Sequence, residues 1–339
     1  MEISEGAETM NETPVKAIDT FLLPQNIDEI ISNHNRSVFP AANIPGAHFS
    51  VNDLPCLDED RKLPKATQPS QMMLYTDEQF NEFSKRVDEY MEGANENIPD
   101  AIVIRKRKET WHKFFQLYGG KASALSRFLC AREGQVDQAL TMIKECVQFR
   151  EEKGVANILS ATDDRNNVIK YIRQFWPATF FGITGNGSPV QYHHLRNIDV
   201  GKLCAPGEDN LRVFYLWWME NCLQLQRAGH SKVGNSDGPM CQSIEIYDFK
   251  DVSLWTMSYN IFGLRMFSRA LDVGQDNYPE NLNKAFIINA PTVVTILWSI
   301  VLKTLSERTK SKISLTGHDN REGLREFLSD ETIDRMFAM

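Results

Sequence analysis

YPENLNKAFIINAPTVVTILWSIVLKTLSERTKSKISLTG, from Tyr278 to Gly317, decides how this chain is read, because it holds a strand, a strongly apolar helix, a basic turn and a second strand. Ala285–Ala290 is a short apolar run rich in Ile and Phe, the pattern of a strand buried on both faces in a parallel sheet. Pro291 ends it, and since proline has a fixed φ and no N–H to leave unpaired, it also suits the start of a helix over Thr292–Leu305. That helix is apolar almost all round, through Val293, Val294, Ile296, Leu297, Trp298, Ile300, Val301, Leu302 and Leu305. A buried core helix, a membrane span and a helix facing lipid on one side only would each give this pattern. Length argues against the span: about 14 residues at ~1.5 Å rise cover roughly 21 Å, short of a hydrocarbon core of ~30 Å.

The chain as a whole has the composition of a soluble globular protein: 339 residues, 42% hydrophobic and 24% charged,. The N-terminus is acidic and polar, unlike a signal or transit peptide. Cys56, Cys130, Cys146, Cys204, Cys222 and Cys241 show neither a C-x-x-C pair nor zinc spacing, which fits reduced thiols in a cytoplasmic setting and no bound metal,. Of the formal net charge of −8, most lies in residues 1–70, which carry 11 acids against 5 bases. The rest is nearly balanced, so nucleic acid is not the expected partner, whereas a local basic patch meeting an anionic membrane surface remains open.

Residues 1–70 hold 7 of the 14 prolines and no sustained apolar period, and read as an extended or disordered acidic arm,. Within it only Phe21–Asn33 has the pattern of a short amphipathic helix. From Thr76, a plausible N-cap, apolar residues recur at helical spacing (Phe80, Phe83, Val87, Tyr90, Met91). Arg105-Lys106-Arg107-Lys108 reads as a solvated helix face, with a localisation signal or membrane contact as the alternatives. Two helices broken near Glu133-Gly134 follow, the second closed by Gly154 in left-handed geometry. After Trp176-Pro177 the period changes. Thr179–Thr184 and Val190–Leu195 read as a hairpin around Gly185-Asn186-Gly187-Ser188, a glycine turn that joins strands rather than cradling phosphate at a helix start. His193-His194 cannot both face one metal, since neighbours on a strand point to opposite faces. Glu208–Ala228 is a long amphipathic helix that Gly229 is expected to end, Met240–Phe249 a strand, and Trp255–Leu271 a helix. Helices first, then strands alternating with helices, predict an α/β protein in which a helical lobe joins a lobe with a mixed sheet.

Three segments, SRFLCAREGQVDQAL, IYDFK (Ile246–Lys250) and QDNYPENLNKAFIINAP, together resemble the CRAL-TRIO lipid-binding family, above all the yeast-type phosphatidylinositol/phosphatidylcholine transfer proteins, over about Ser123–Ser329. The resemblance implies a helical N-terminal lobe at 71–160, a CRAL-TRIO lipid-binding domain at 161–330 with a sheet floor under a hydrophobic pocket, and a tail at 331–339. It turns Thr292–Leu305 into a gating helix, with Val293, Leu297, Trp298, Ile300 and Val301 on it. It also implies that Arg132, from the family's R-A-R motif, and Thr309 and Lys312, from a T-x-x-K turn, hold the headgroup of phosphatidylinositol. Ser243 matches a serine near the phosphate of phosphatidylcholine. Two positions depart from the pattern: Glu133 stands where phosphatidylinositol binders carry Lys, and Glu245 where a threonine is usual. Cys130 replaces the first Arg of R-A-R.

The expected function is therefore that of a non-enzymatic carrier with a bound phospholipid as cargo and no cofactor. It would exchange phosphatidylinositol, with phosphatidylcholine as a further ligand, and support phosphoinositide metabolism, with a phosphoinositide kinase as partner. The expected location is cytoplasmic, with transient peripheral contact at Golgi or endosomal membranes. A sterol, tocopherol or retinoid carrier is the alternative. No H-E-x-x-H or Walker motif points to an enzyme,.

Overall fold

The computed structural model describes residues 56–57, 74–94, 100–196, 198–233, 240–252, 269, 273–302 and 307–339. Phe21–Asn33, all of the arm except Cys56 and Leu57, and all of the helix expected at Trp255–Leu271 except position 269 lie outside the described residues. So do Leu305, and the side chains of Leu297, Ile300 and Val301.

After the short strand β1 (Cys56–Leu57) come the helices α1 (Asp77–Glu92), α2 (Ala101–Leu117), α3 (Lys121–Ala131) and α4 (Val136–Glu152). Thr76 caps α1 through a reciprocal capping box with Gln79, which satisfies two otherwise orphaned amides,. The α3–α4 break falls where expected: Glu133 and Gly134 have φ of 51° and 80°, conformations a helix cannot continue through,. Gly154 (φ 58°) follows α4 in the left-handed region,. Phe83, Val87, Phe114, Phe128, Leu129 and Ile143 are buried between these helices. The basic run on α2 is a solvated face. Arg105 and Lys106 are exposed, Arg107 lies over the Tyr90 ring at 4.6 Å, and Lys108 pairs with Glu92 at 3.2 Å.

A short 3-10 helix and α5 (Asp164–Phe175) lead into β2 (Ala178–Thr184) and β3 (Pro189–His194). Then follow α6 (Val200–Cys204), α7 (Glu208–Lys232), β4 (Ser243–Asp248), β5 (Leu282–Ile288), α8 (Thr292–Val301), α9 (Glu307–Ser311), β6 (Ile313–Leu315), α10 (Arg321–Leu324) and α11 (Asp330–Phe337). Among the described residues the sheet runs β1-β2-β3-β4-β5-β6, with only the β2–β3 hairpin antiparallel, so it is mixed as expected.

Gly229 does not end α7, which continues to Lys232. Its lack of a side chain serves packing instead. A Cβ there would lie 1.9 Å from the carbonyl oxygen of Gly187, in the hairpin turn, and one on Gly187 would lie 2.6 Å from that of Gly229. The two backbones touch and pin the hairpin to α7. The segment expected to be a tail is also different. Residues 330–337 form α11, capped by Ser329, with Ile333 and Met336 fully buried.

Strand periodicity gives the sheet two distinct faces. Val190, Tyr192, Ile244, Ile246, Phe286 and Ile288 pack with Leu324, Phe327, Leu328, Ile333 and Met336 in one apolar core. The opposite face carries the laterally aligned rows Gln191–Glu245–Ala285–Ile313 and His193–Tyr247–Ile287–Leu315. Trp218 of α7 lies over it, stacked on Phe180 at 4.5 Å and donating to Gln191 Oε1 at 3.0 Å. At the sheet's end Asp248, from IYDFK, accepts from the Tyr192 hydroxyl at 2.7 Å and from the Asn289 amide at 2.8 Å, tying three strands together.

Candidate functional site

Pro291 precedes α8, as expected for the residue that stops β5. Val294 is buried against Ile287 and Ala290, Val293 and Trp298 are partly buried on the same cluster, and Thr292 and Thr295 are exposed. The helix therefore has one packed side and one open side within its first turns. No helix among the described residues is long and apolar enough to cross a membrane.

The basic turn after α8 folds back onto the turn before β5. Lys312 is only 8% exposed, and its Nζ donates to Glu280 Oε2 at 2.9 Å and to the Leu282 carbonyl at 2.8 Å. Arg308 meets the same carboxylate with two bonds, Nε to Oε1 at 2.6 Å and Nη2 to Oε2 at 2.9 Å. Gln242 adds a third donor, 3.0 Å from Glu280 Oε2. Burial pushes the Glu280 carboxyl up, but the hydrogen bonds and charges of Arg308 and Lys312 outweigh it and hold it down at about 2,. Burial pulls Lys312 down, against Glu280, which favours its charged form.

Glu280 is placed by contacts far away in sequence. The neighbouring Tyr278 hydroxyl donates to Glu220 Oε1 at 2.7 Å, Glu220 Oε2 accepts from Arg150 of α4 at 2.8 Å, and Tyr118 donates to the Asn277 carbonyl at 3.1 Å. Glu280 itself has φ of 52°, uncommon for a residue with a side chain and tolerated where the surroundings over-determine it,.

Arg132 is half-buried at the C-cap of α3. Its turn lies against the carboxylate cluster: the Cys130 thiol feels the charges of Glu280, Arg308 and Lys312, and Glu133 acts on Arg308. The structure thus brings the Arg132 turn, Thr309 and Lys312 to one place. The Thr309 carbonyl accepts from the Lys312 amide at 3.1 Å, closing the turn between them. Ser243 is fully buried, and its Oγ accepts from Gln226 Nε2 at 2.8 Å. Gln226 also reaches Asn281 Oδ1 at 2.7 Å and accepts from Arg127 Nη2 at 2.9 Å, so Ser243 belongs to a network behind Glu280.

Sequence reasoning passed over Glu280, Arg308, Gln242 and Arg127. Arg127 had a signal: it is a lone charge in the apolar helix SALSRFLCA, and it is 2% exposed, bonded among the described residues to Gln226 and the carbonyls of Met240 and Cys241. Glu280 and Arg308 had none, since their pairing spans 28 residues.

Glu245 and Tyr247 alternate with fully buried Ile244 and Ile246 on a central strand, yet keep accessible surface. Tyr247 donates to Glu245 Oε2 at 2.6 Å, and burial raises the Glu245 carboxyl. His193 and His194 face opposite ways, onto Tyr247 and Tyr192 at 4.2 Å each, and burial lowers them to about 3 and about 4, so both are neutral. No metal-ligating cluster occurs among the described residues.

The model of the CRAL/TRIO domain matches residues 174–337. The Sec14 cytosolic factor of Schizosaccharomyces pombe is 30% identical over 208 residues, which cover 60% of this chain and 69% of that protein. The chain belongs to the CRAL/TRIO family. The phosphatidylinositol/phosphatidylcholine transfer protein SFH7 of Arabidopsis thaliana is 29% identical over 62% of this CRAL/TRIO chain. The match spans 38% of the plant protein's length, and other relatives are covered to about a third. The crystal structure of Sfh5 superposes with a TM-score of 0.50 at 15% identity, over 78% of this chain and 97% of that one, a likeness of fold.

Proposed function

We propose that this protein binds phosphatidylinositol and transfers it between membranes, supporting phosphoinositide synthesis by a lipid kinase. The observation that carries the reading is the buried cluster of Lys312, Arg308 and Glu280 beside the Arg132 turn, at the end of the segment that begins with α8. A phosphate taken out of water needs matched charge and donors, which Lys312 and the Arg132 turn supply. Inositol hydroxyls need acceptors, and Glu280 is one. The relatives named as phosphatidylinositol/phosphatidylcholine transfer proteins support the same class of cargo.

The physics of carriage requires no covalent chemistry. Moving a two-chain lipid through water exposes about thirty CH₂ groups at ~0.8 kcal/mol each, a cost above ~20 kcal/mol. A protein that offers an apolar cavity at the bilayer replaces this with an exchange between two apolar media. Under this reading α8 is the gate, its open side meets the membrane, and the protein works from the cytoplasm with transient contacts at Golgi or endosomal surfaces.

Phosphatidylcholine is the weaker second cargo. The hydroxyl of Ser243 already accepts from Gln226, and Glu245 would repel a phosphate beside it. The Glu245–Tyr247 pair favours instead a neutral lipid with a hydroxyl group, such as a sterol. The test is exchange between vesicles. Phosphatidylinositol should move faster than a neutral-headgroup lipid, and Lys312→Ala with Arg132→Ala should remove that preference. Equal loss for both lipids would refute the headgroup assignment.

A further inference from the structure

Arg308 offers donors that the headgroup contacts above leave unused. It lies on α9 immediately before Thr309, and it grips Glu280 side-on, through Nε and Nη2. A guanidinium carries five N–H donors in a planar fork. Side-on pairing occupies one edge of the fork, so the other edge, made of Nη1 and the second Nη2 hydrogen, points away from Glu280. Nη1 has no hydrogen-bond partner among the described residues, and it is not one of the buried unpaired atoms there. Lys312 is in the same state. Two of its N–H groups go to Glu280 and the Leu282 carbonyl, which leaves the third.

The charge count points the same way. Arg308 and Lys312, with side chains 13% and 10% exposed, share the one carboxylate of Glu280. Arg127, fully buried and bonded among the described residues to neutral acceptors, also acts on Lys312. Glu133 is near Arg308 but exposed, so water screens it,. Among the described residues the site therefore holds an excess of buried positive charge, which is costly unless an anion completes it,.

We propose that Arg308 is a specificity-determining residue whose Nη1/Nη2 edge, together with Lys312 Nζ, takes the phosphate of an inositol phospholipid, while Glu280 holds the two cations in register. This rests on the reading of the cluster as the headgroup site. Arg is suited to the task because its fork matches two phosphate oxygens, whereas Lys is a point charge.

The experiment uses the full chain, Arg308→Gln and Arg308→Lys, with uptake of phosphatidylinositol from vesicles of that lipid in phosphatidylcholine, and with the thermal midpoint as a second readout. Arg308→Gln should weaken uptake about tenfold or more, which is ~1.4 kcal/mol or more. Arg308→Lys should restore the thermal midpoint, because it keeps a cation on Glu280, but not the uptake. If Arg308→Lys restores both, or if Arg308→Gln takes up the lipid undiminished, Arg308 is only a counter-charge and the proposal fails while the headgroup site stands. If the wild type takes up no phosphatidylinositol, the reading of the site fails as well. Soluble inositol 1-phosphate in place of vesicles separates the sources: binding of it as tight as that of the lipid would show a site for free phosphate esters and overturn the lipid assignment.

Discussion

Glu220→Ala should cost the protein about 4 kcal/mol of stability. Glu220 Oε2 accepts from Arg150 Nη2 at 2.8 Å, Oε1 accepts from the Tyr278 hydroxyl at 2.7 Å, and the Arg150 and Glu220 side chains are 7% and 5% exposed. Removing one partner of a buried ion pair leaves the other charge uncompensated, at ~3–5 kcal/mol. The stranded Tyr278 hydroxyl adds ~1–3 kcal/mol, but groups in one network do not add fully, so ~4 kcal/mol is the working figure. With a urea m-value of ~3 kcal/mol/M, the unfolding midpoint should fall by more than ~1 M. Arg150→Met with Glu220→Leu, which removes both charges and keeps the volume, should recover most of the loss. A fall of less than ~0.3 M in the single variant would refute the reasoning, since Arg150 would then have found water or another partner. The consequence reaches the site, because Tyr278 holds the turn that presents Glu280.

Acid should expose the Glu280 cluster. The Glu280 carboxyl is held at about 2 in the fold against an ordinary 4.5. Its stabilisation is therefore complete above about pH 5 and is lost as pH falls toward 2, to the extent of ~3 kcal/mol. Denaturant titrations between pH 6 and pH 2 should show a steeper decline for the wild type than for Glu280→Gln, and parallel curves would contradict it. His193, held neutral by burial down to about 3, lowers stability in the same direction as pH falls from 6.5 toward 3, and does so equally in both proteins. Gly229→Ala should destabilise by several kcal/mol, because its Cβ would meet the Gly187 carbonyl at 1.9 Å,. Thermal unfolding measures it, and a shift within ~0.5 kcal/mol would show that the hairpin can lift from α7.

Much of the fold was legible because local rules and tertiary packing agree. The Thr76 cap, the Glu133-Gly134 break, the Gly154 terminator and the glycine-turn hairpin are each set by backbone preferences within a few residues. Where one residue type has two uses, the sequence was ambiguous. Gly229 carried the mark of a helix end, but the structure uses it for close backbone contact. Residues 331–339 looked like a tail because the helix there is short, although Ile333, Met336 and Phe337 are spaced for one face. The candidate site was half legible. Arg132, Thr309 and Lys312 came from motif resemblance, and the structure gathers them. Glu280 and Arg308 were hidden, because only folding brings α9 against the turn before β5. Ser243 was visible as a motif residue, but its engagement by Gln226 depends on α7, 17 residues away in sequence.

The most direct measurement is the identity of the lipid that the protein selects. Full-length protein is incubated with vesicles holding phosphatidylinositol, phosphatidylcholine and a sterol in equal amounts, re-isolated, and analysed by native mass spectrometry. The account expects one phosphatidylinositol per chain in the wild type and its loss in Lys312→Ala. A wild type that emerges with sterol or phosphatidylcholine in preference, or a Lys312→Ala variant as fully loaded with phosphatidylinositol as the wild type, would contradict it.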